Sequence, residues 1–398
     1  MASQRQAVSA SQTPNFSPAE LSYLYTSLAL PNNPIRPDGR SPTQFRPLTA
    51  ETAILPGTNG SARIGFGDGT QAIVGVKAEV ERTVLGTDAS ADAVPSREEF
   101  ADGVLERKDD GSGSVAAVAG QGSWVQMSIE IPGFRDDDAL PVFLSEMMRE
   151  SLIGSVSSGS GSASEDSSGM VDSLKGRLVI NRRWHWRLYI DVLLLSQPLS
   201  YPLPLLSLTT HLALLSTKLP KLKSQGEEDP LFDDDWGVAE YLYARPQGAG
   251  YARIPPLSQV RPPVTLLVIS VGENIIFDPS GEEIAVADAV VAISITRNSD
   301  DANSGLRLLS IRTIDPPSRL TQPGVPNSEN VATVGSTAAA EQAAILNPST
   351  DEGEVPGVWR PRRGGVKRNV IAEMVKMVLK KGGVGEDVLE GLERVEVG

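Results

Sequence analysis

The stretch FDPSGEEIAVAD at 277–288 gathers Asp278, Glu282, Glu283 and Asp288 around one turn. Grouped carboxylates can serve as general acid and base, or hold a divalent cation. Asp288 stands out because it interrupts an otherwise apolar run, and a buried carboxylate is costly unless paired. It therefore needs a partner or an exposed face, and a structural ion pair is as open to it as chemistry.

Other chemistry is sparse. The two histidines are His185, between Trp184 and Trp186, and His211, inside a leucine-rich run. Both read as core or packing residues, and no Ser-His-Asp arrangement or metal-ligand spacing surrounds them. NGSARIGFGDGT is glycine-rich, but a second strand follows it instead of a helix whose N-terminus could hold an anion, so it reads as a hairpin turn. The basic stretch KGRLVINRRWHWR (175–187) interleaves arginine with tryptophan. That pattern suits phosphate contact and base stacking, or equally two aromatic anchors beside a solvated edge.

IDVLLLSQPLSYPLPLLSLTTHLALL (190–215) reads as a buried strand, a turn and a buried helix, the type of corner where α/β enzymes hold phosphate. The turn has no glycine, and Pro202 and Pro204 bring no N–H. Two of the helix's four free donors are missing.

The chain has 398 residues, 40% hydrophobic and 22% charged, the composition of a soluble globular protein with room for one or two cores. Without cysteine there can be no disulfide, thiolate metal site or cysteine nucleophile, which favours an intracellular location. The polar segment 1–14 lacks the apolar core of a signal peptide, and no apolar run is long enough to span a bilayer. A net charge of −14 argues against a free-standing nucleic-acid binder. Much of the acid lies in expected loops, at 226–236 and 350–354, so one face could still be basic.

The elements around these residues are patterned. Residues 61–66 and 71–80 form a hairpin about Gly67, Asp68 and Gly69. Residues 124–131 alternate as a half-buried strand, with Val125, Met127, Ile129 and Ile131 inward and Trp124 on the other side. Residues 140–153 form a helix facing inward with Leu140, Phe143, Leu144, Met147, Met148 and Leu152. Strands follow at 178–181 and 186–195. The helix after the proline turn is apolar on several faces and should be central. Strands at 264–271, 274–277, 285–295 and 306–314 suggest an antiparallel meander, and a last helix covers 366–381. Insertions are expected at about 85–120, 154–173 and 319–363, with a shorter one at 245–263. The sum is an α+β layered fold, with two related halves.

Certain segments resemble the RNase PH family, and more closely its branch of non-catalytic ring subunits in the eukaryotic exosome. They are FSPAELSYLYTSLALPNNPIRPDGRSPTQFRPL, NGSARIGFGDGTQAIVGVKAEV, WRLYIDVLLL with LTTHLALLSTKLPKL, and IIFDPSGEEIAVADAVVAISIT. RPDGR and VGVKAEV carry the family resemblance best. It implies an RNase PH-like fold with a duplicated βαβα core (ribosomal protein S5 domain 2-like). The first half spans 15–225, the second 226–318, a linker 319–363 and a C-terminal helical segment 364–398. It further implies a six-membered ring of RNase PH-like subunits with S1/KH-type caps and RNA as partners, no cofactor or metal, and residence in nucleus, nucleolus and cytoplasm.

Catalytic members of that family cut RNA from its 3′ end with inorganic phosphate, held by a Gly-Gly-Thr/Ser-Arg type loop. Here SQPLSYPLP (196–204) stands in its place, without the glycines or the arginine. Asp278 and Asp288 fall where the family's acidic pair falls and read as vestigial. The resemblance thus implies a silent subunit that shapes a channel for RNA, with Arg149, Arg182 and Arg183 as the expected phosphate contacts. The alternatives are an active phosphate-dependent 3′→5′ exoribonuclease, against which the proline turn stands, and a metabolic enzyme on a similar fold.

Overall fold

A computed structural model describes residues 16–31, 33–83, 121–154, 174–224, 228–243, 261–297, 305–314, 359 and 366–395. The expected insertions at 85–120, at 154–173 after Gly154 and at 319–363 apart from Trp359 lie outside the described residues, as does most of 245–263.

Five strands make the first sheet. β1 (Leu48–Thr52), β2 (Gly60–Phe66) and β3 (Gln71–Arg82) are successive antiparallel neighbours. β5 (Trp184–Leu194) joins β3 antiparallel, and β4 (Val125–Glu130) lies parallel to β5 at the edge, for the order β1-β2-β3-β5-β4. The β2–β3 hairpin closes where expected, with Gly69 at φ +91°, a conformation that side chains resist. The second sheet is antiparallel, with the order β11-β10-β8-β9 for β8 (Val264–Val271), β9 (Asn274–Phe277), β10 (Ala289–Arg297) and β11 (Leu306–Ile314). β6 (Lys218–Leu219) and β7 (Glu240–Tyr241) form a small separate pair.

Numbered along the chain, the helices are α1 (Pro18–Leu28), α2 (Ala139–Ile153), α3 (Leu174–Arg177), α4 (Leu203–Ser216), α5 (Gly281–Ala285), α6 (Arg368–Leu379) and α7 (Val384–Glu393). α4 is the central helix the sequence called for. Every one of its residues is buried, and it packs against β2 and β3 of one sheet and β8 of the other. Its serine and threonine hydroxyls are bonded within the helix or to neighbouring strands. Thr209 and Thr210 donate to the carbonyls of Leu205 and Leu206 at 2.7 and 2.8 Å, Ser207 Oγ accepts from Thr265 N, and Ser216 Oγ accepts from Ser61 N. β2 reaches the end of α4 so closely that a Cβ on Gly60 would stand 2.4 Å from Thr217 Oγ1 and 2.7 Å from the Ala213 carbonyl.

Several expectations need correction. The second sheet is not a meander, because β10 pairs with β8 and leaves β9 at the edge. Residues 285–288 are not strand. A one-turn helix, α5, is nucleated by the Ser280–Glu283 capping box and holds the chain until Ala289. Residues 178–181 make only an isolated bridge between Val179 and His185. Phe143 is 44% exposed, since it lies one residue, or 100°, outside the buried stripe of Leu144, Met147, Met148, Ser151 and Leu152. Trp124 is buried, because a 3-10 turn (Gly122–Trp124) precedes β4 and stacks its ring on His185 at 4.0 Å. The C-terminal segment holds two helices, parted at Gly382, where φ is +65°.

Candidate functional site

The corner that follows β5 is closed. Pro202 is the N-cap of α4 with φ −75° and ψ −15°, and Pro204 is its second helical residue, so the two positions expected to lack donors are both in the first turn. Leu203 and Leu205, which do carry N–H groups there, are buried. The space beside them is a cavity of about 10 Å³ lined by Phe66, Thr70, Leu194, Pro198, Ser200, Tyr201, Pro202 and Leu205. That is room for about one water molecule. Burial pushes the Tyr201 phenol well above its ordinary pKa.

Beneath the corner lies a buried lattice of arginines and carboxylates. Pro37, Asp38 and Gly39 turn the chain, with Gly39 at φ +74°, and so bring Arg36 and Arg40 side by side. Arg36 holds Glu283 in a bidentate pair, Nε to Oε1 at 2.7 Å and Nη2 to Oε2 at 2.8 Å, with both side chains fully buried. Its remaining N–H bonds go to the carbonyls of Ser41, Gln44, Phe277 and Asp278. Arg40 donates from Nη1 to Asp278 Oδ2 at 2.8 Å and from Nε to Asp38.

Arg46 completes the cage. It donates to Asp278 from its backbone N at 2.9 Å, from Nε at 3.0 Å and from Nη2 at 2.7 Å. Its Nη1 reaches Asp68 at 2.6 Å and Ser200 Oγ at 2.9 Å, which ties the cage to the corner. The guanidinium lies 4.4 Å from the centre of the Phe66 ring. Burial alone would lower the Arg46 pKa, but Asp278 and Asp68 outweigh it and raise it. Burial likewise works against the charge of Asp68, but bonds from Thr70 and the charge of Arg46 hold its carboxyl below the ordinary range. Asp278 itself is fully buried and sits at φ +47°, a left-handed conformation that Asp tolerates better than most residues.

Asp288 is elsewhere. Its Oδ2 accepts from Gly272 N at 2.7 Å at the β8–β9 turn, whereas the Asp278 amide bonds to the Leu267 carbonyl in the middle of β8. Five residues of strand separate these anchors, about 16 Å. The structure does not bring the two aspartates together. Glu282 is exposed at the start of α5 and takes no part in the cage.

The three expected RNA contacts sit at the opposite end of the first sheet, where β4 and β5 begin. Arg182 and Arg183 are exposed on the turn before β5. Arg149 is more constrained, with Nε on the Val125 carbonyl at 2.9 Å, Nη2 on the Gly122 carbonyl at 3.2 Å and Nη1 on Glu146. It fastens α2 to β4.

Both histidines are buried, as the sequence suggested. His185 lies beside Thr83 and Glu81, and burial holds its pKa down. His211 Nδ1 meets the Pro262 carbonyl at 2.8 Å and so carries the proton, and burial lowers its pKa to about 4.

No family model matches the chain. Among curated proteins, exosome complex component RRP42 of Saccharomyces cerevisiae is 31% identical over 285 residues, covering 70% of this chain and 81% of the relative. The chain belongs to the exosome RRP42 family. Rrp42 of Schizosaccharomyces pombe is 30% identical over 291 residues, covering 69% and 77%. Solved structures similar to it include an archaeal exosome core, at 18% identity and a TM-score of 0.44 over 74% of this chain and 84% of the other. Another is the Archaeoglobus fulgidus exosome with RNA bound to the active site, at 18% and 0.45 over 82% and 98%.

Residue reasoning on the RRP42-like sequence missed the cage as a unit. RPDGR was visible as a signature, yet nothing in the sequence tied Arg36 to Glu283 or Arg46 to Asp278. The one available signal was that fully apolar surroundings at Phe277 and Ile284 would demand partners for the carboxylates between them.

Proposed function

We propose that this chain is a catalytically silent ring subunit of the RNA exosome. Its work is to complete a ring of RNase PH-like subunits under S1/KH-type caps and to shape the channel that carries RNA for 3′→5′ processing and degradation, rRNA maturation included. Residence in nucleus, nucleolus and cytoplasm goes with that work.

The observation that carries the silent reading is the corner before α4. A phosphate ion needs N–H donors, a countercharge and space. Here two of four amides are proline nitrogens, the space is about 10 Å³, and the nearest guanidinium, Arg46, is already bonded to Asp278, Asp68 and Ser200. Asp278 is fully buried, and both its carboxylate oxygens accept from arginine. Assembly is supported by exposed apolar side chains in two groups, Leu193, Leu195 and Leu199 near the corner and Leu222, Leu231, Trp236 and Val238 around β6 and β7. Arg182 and Arg183, exposed on the turn before β5, are the side chains proposed to meet RNA phosphates.

The test is phosphorolysis by a reconstituted ring containing the full chain. Labelled RNA with inorganic phosphate should release no more nucleoside diphosphate than the phosphate-free control. Release that disappears with Asp288→Asn would establish an active exoribonuclease instead.

A further inference from the structure

Helix α6 handles charge in the opposite way to its neighbours. α1 and α5 open on capping boxes with Glu20 and Glu283, and α7 has Glu386 and Asp387 in its first turn, so an acid meets the positive end of each. α6 opens on Lys367, with no side-chain cap, no acid in the first turn and Arg368 as its first residue. Cations at that end weaken a helix. The arrangement works against α6 as a folding unit and calls for another reason.

The rest of the helix repeats the pattern. Met374 and Val378 are buried, and Arg368, Lys376 and Lys380 are exposed on the side turned away from them, with Lys367 and Lys381 exposed at the two ends. Residues 366–381 carry these five cations and one acid, Glu373. None of the five makes a side-chain hydrogen bond or ion pair among the described residues. Three acids of α7 are paired with other residues, Glu393 to Arg261 and Arg297, Glu386 to Arg297 and the Gly382 amide, and Glu390 to Arg394.

We infer that this face of α6 is a further RNA contact, which takes the phosphodiester backbone of a single strand without reading its bases. The inference rests on the exosome reading above. From Arg368 to Lys380 the face is about 18 Å long, enough for several phosphates. The overall charge of −14 does not forbid this, because fields are screened within about 8–10 Å at physiological salt and the cations act locally. An acidic protein segment is the competing occupant. RNA is favoured because the exposed face, Arg368, Asn369, Ala372, Glu373, Lys376 and Lys380, offers no large apolar or aromatic anchor of the kind that dominates protein interfaces.

The experiment replaces Lys367, Arg368, Lys376, Lys380 and Lys381 with glutamine in the full chain, within a reconstituted ring. Binding of a fluorescent oligouridylate is followed from about 50 to 200 mM salt. The expected result is an affinity at least tenfold weaker at the lowest salt, and a slope of log affinity against log salt shallower by about 2–3, at roughly 0.7 per lost phosphate contact. Unchanged affinity and slope would overturn the inference. So would polyglutamate displacing the oligouridylate from the wild-type ring at equal charge concentration, which would assign the face to an acidic protein. Co-elution of the chain with the ring separates the two readings. A wild-type chain that fails to co-elute removes the subunit reading and this contact with it, whereas co-elution with an unchanged slope removes the contact alone.

Discussion

Arginine serves opposite ends at the two ends of β5. Near its end, beneath the corner, Arg36 and Arg40 are buried, Arg46 is half-buried, and the three hold Asp278, Glu283 and Asp68 at 2.6–3.0 Å. Before its start, Arg182 and Arg183 stand in solvent. The residue type is the same, but internal carboxylates within hydrogen-bond reach make the first group part of the fold, whereas the second group is exposed at the surface. A basic cluster is therefore no anion site until its internal counter-ions are known, and this corner has them.

The sharpest way to break the comparison is to remove one internal counter-ion. Asp278→Asn keeps the size and tolerates the left-handed backbone, but deletes the charge between Arg40 and Arg46. It should destabilise the protein by about 3–5 kcal/mol, because Arg40 and Arg46 lose the buried charge they share. Urea unfolding measures this, and a loss below about 1 kcal/mol would mean the cage is not a structural unit.

The second prediction concerns His211, buried between the sheets with one ring nitrogen bonded and Nε2 without a partner among the described residues. Its folded pKa of about 4 lies below the unfolded value near 6.5, so the unfolded chain binds the extra proton first. Stability from this group is complete above about pH 6.5 and falls as the pH drops towards 4, by roughly 3 kcal/mol in all. His211→Leu should flatten the dependence across that window. An unaltered pH profile would assign the acid sensitivity to other groups.

The smallest effect on stability belongs to the exposed end. Arg182→Ala with Arg183→Ala should leave the unfolding midpoint where it is while lowering the salt slope of RNA binding by about 1, at roughly 0.7 per contact. A shifted midpoint with an unchanged slope would reverse the roles assigned to the two ends.

Local pattern carried much of this fold into view. The Gly67–Gly69 turn, the alternation at 125–130 and the many-sided leucines of 203–216 each express a rule that acts within a few residues, and each element formed where that rule put it. What stayed hidden depends on contacts between distant segments. β10 pairs with β8 and not with β9, and the link that carries the chain past β8 is α5, a single turn. Arg36 and Glu283 are 247 residues apart, and no spacing rule joins them. Asp288 seemed the exceptional carboxylate because it interrupts an apolar run, but it accepts from Gly272 N at a turn, while the less conspicuous Asp278 proved fully buried. The proline corner was legible because proline's missing N–H is a property of the residue itself, independent of what surrounds it.

The most direct measurement is diffraction from crystals of the assembled ring soaked in sulfate or phosphate. The account predicts no ion between Ser196 and Leu205, with Arg46 still bonded to Asp278. An ion seated against the amides of Leu203 and Leu205, with Arg46 turned towards it, would contradict it.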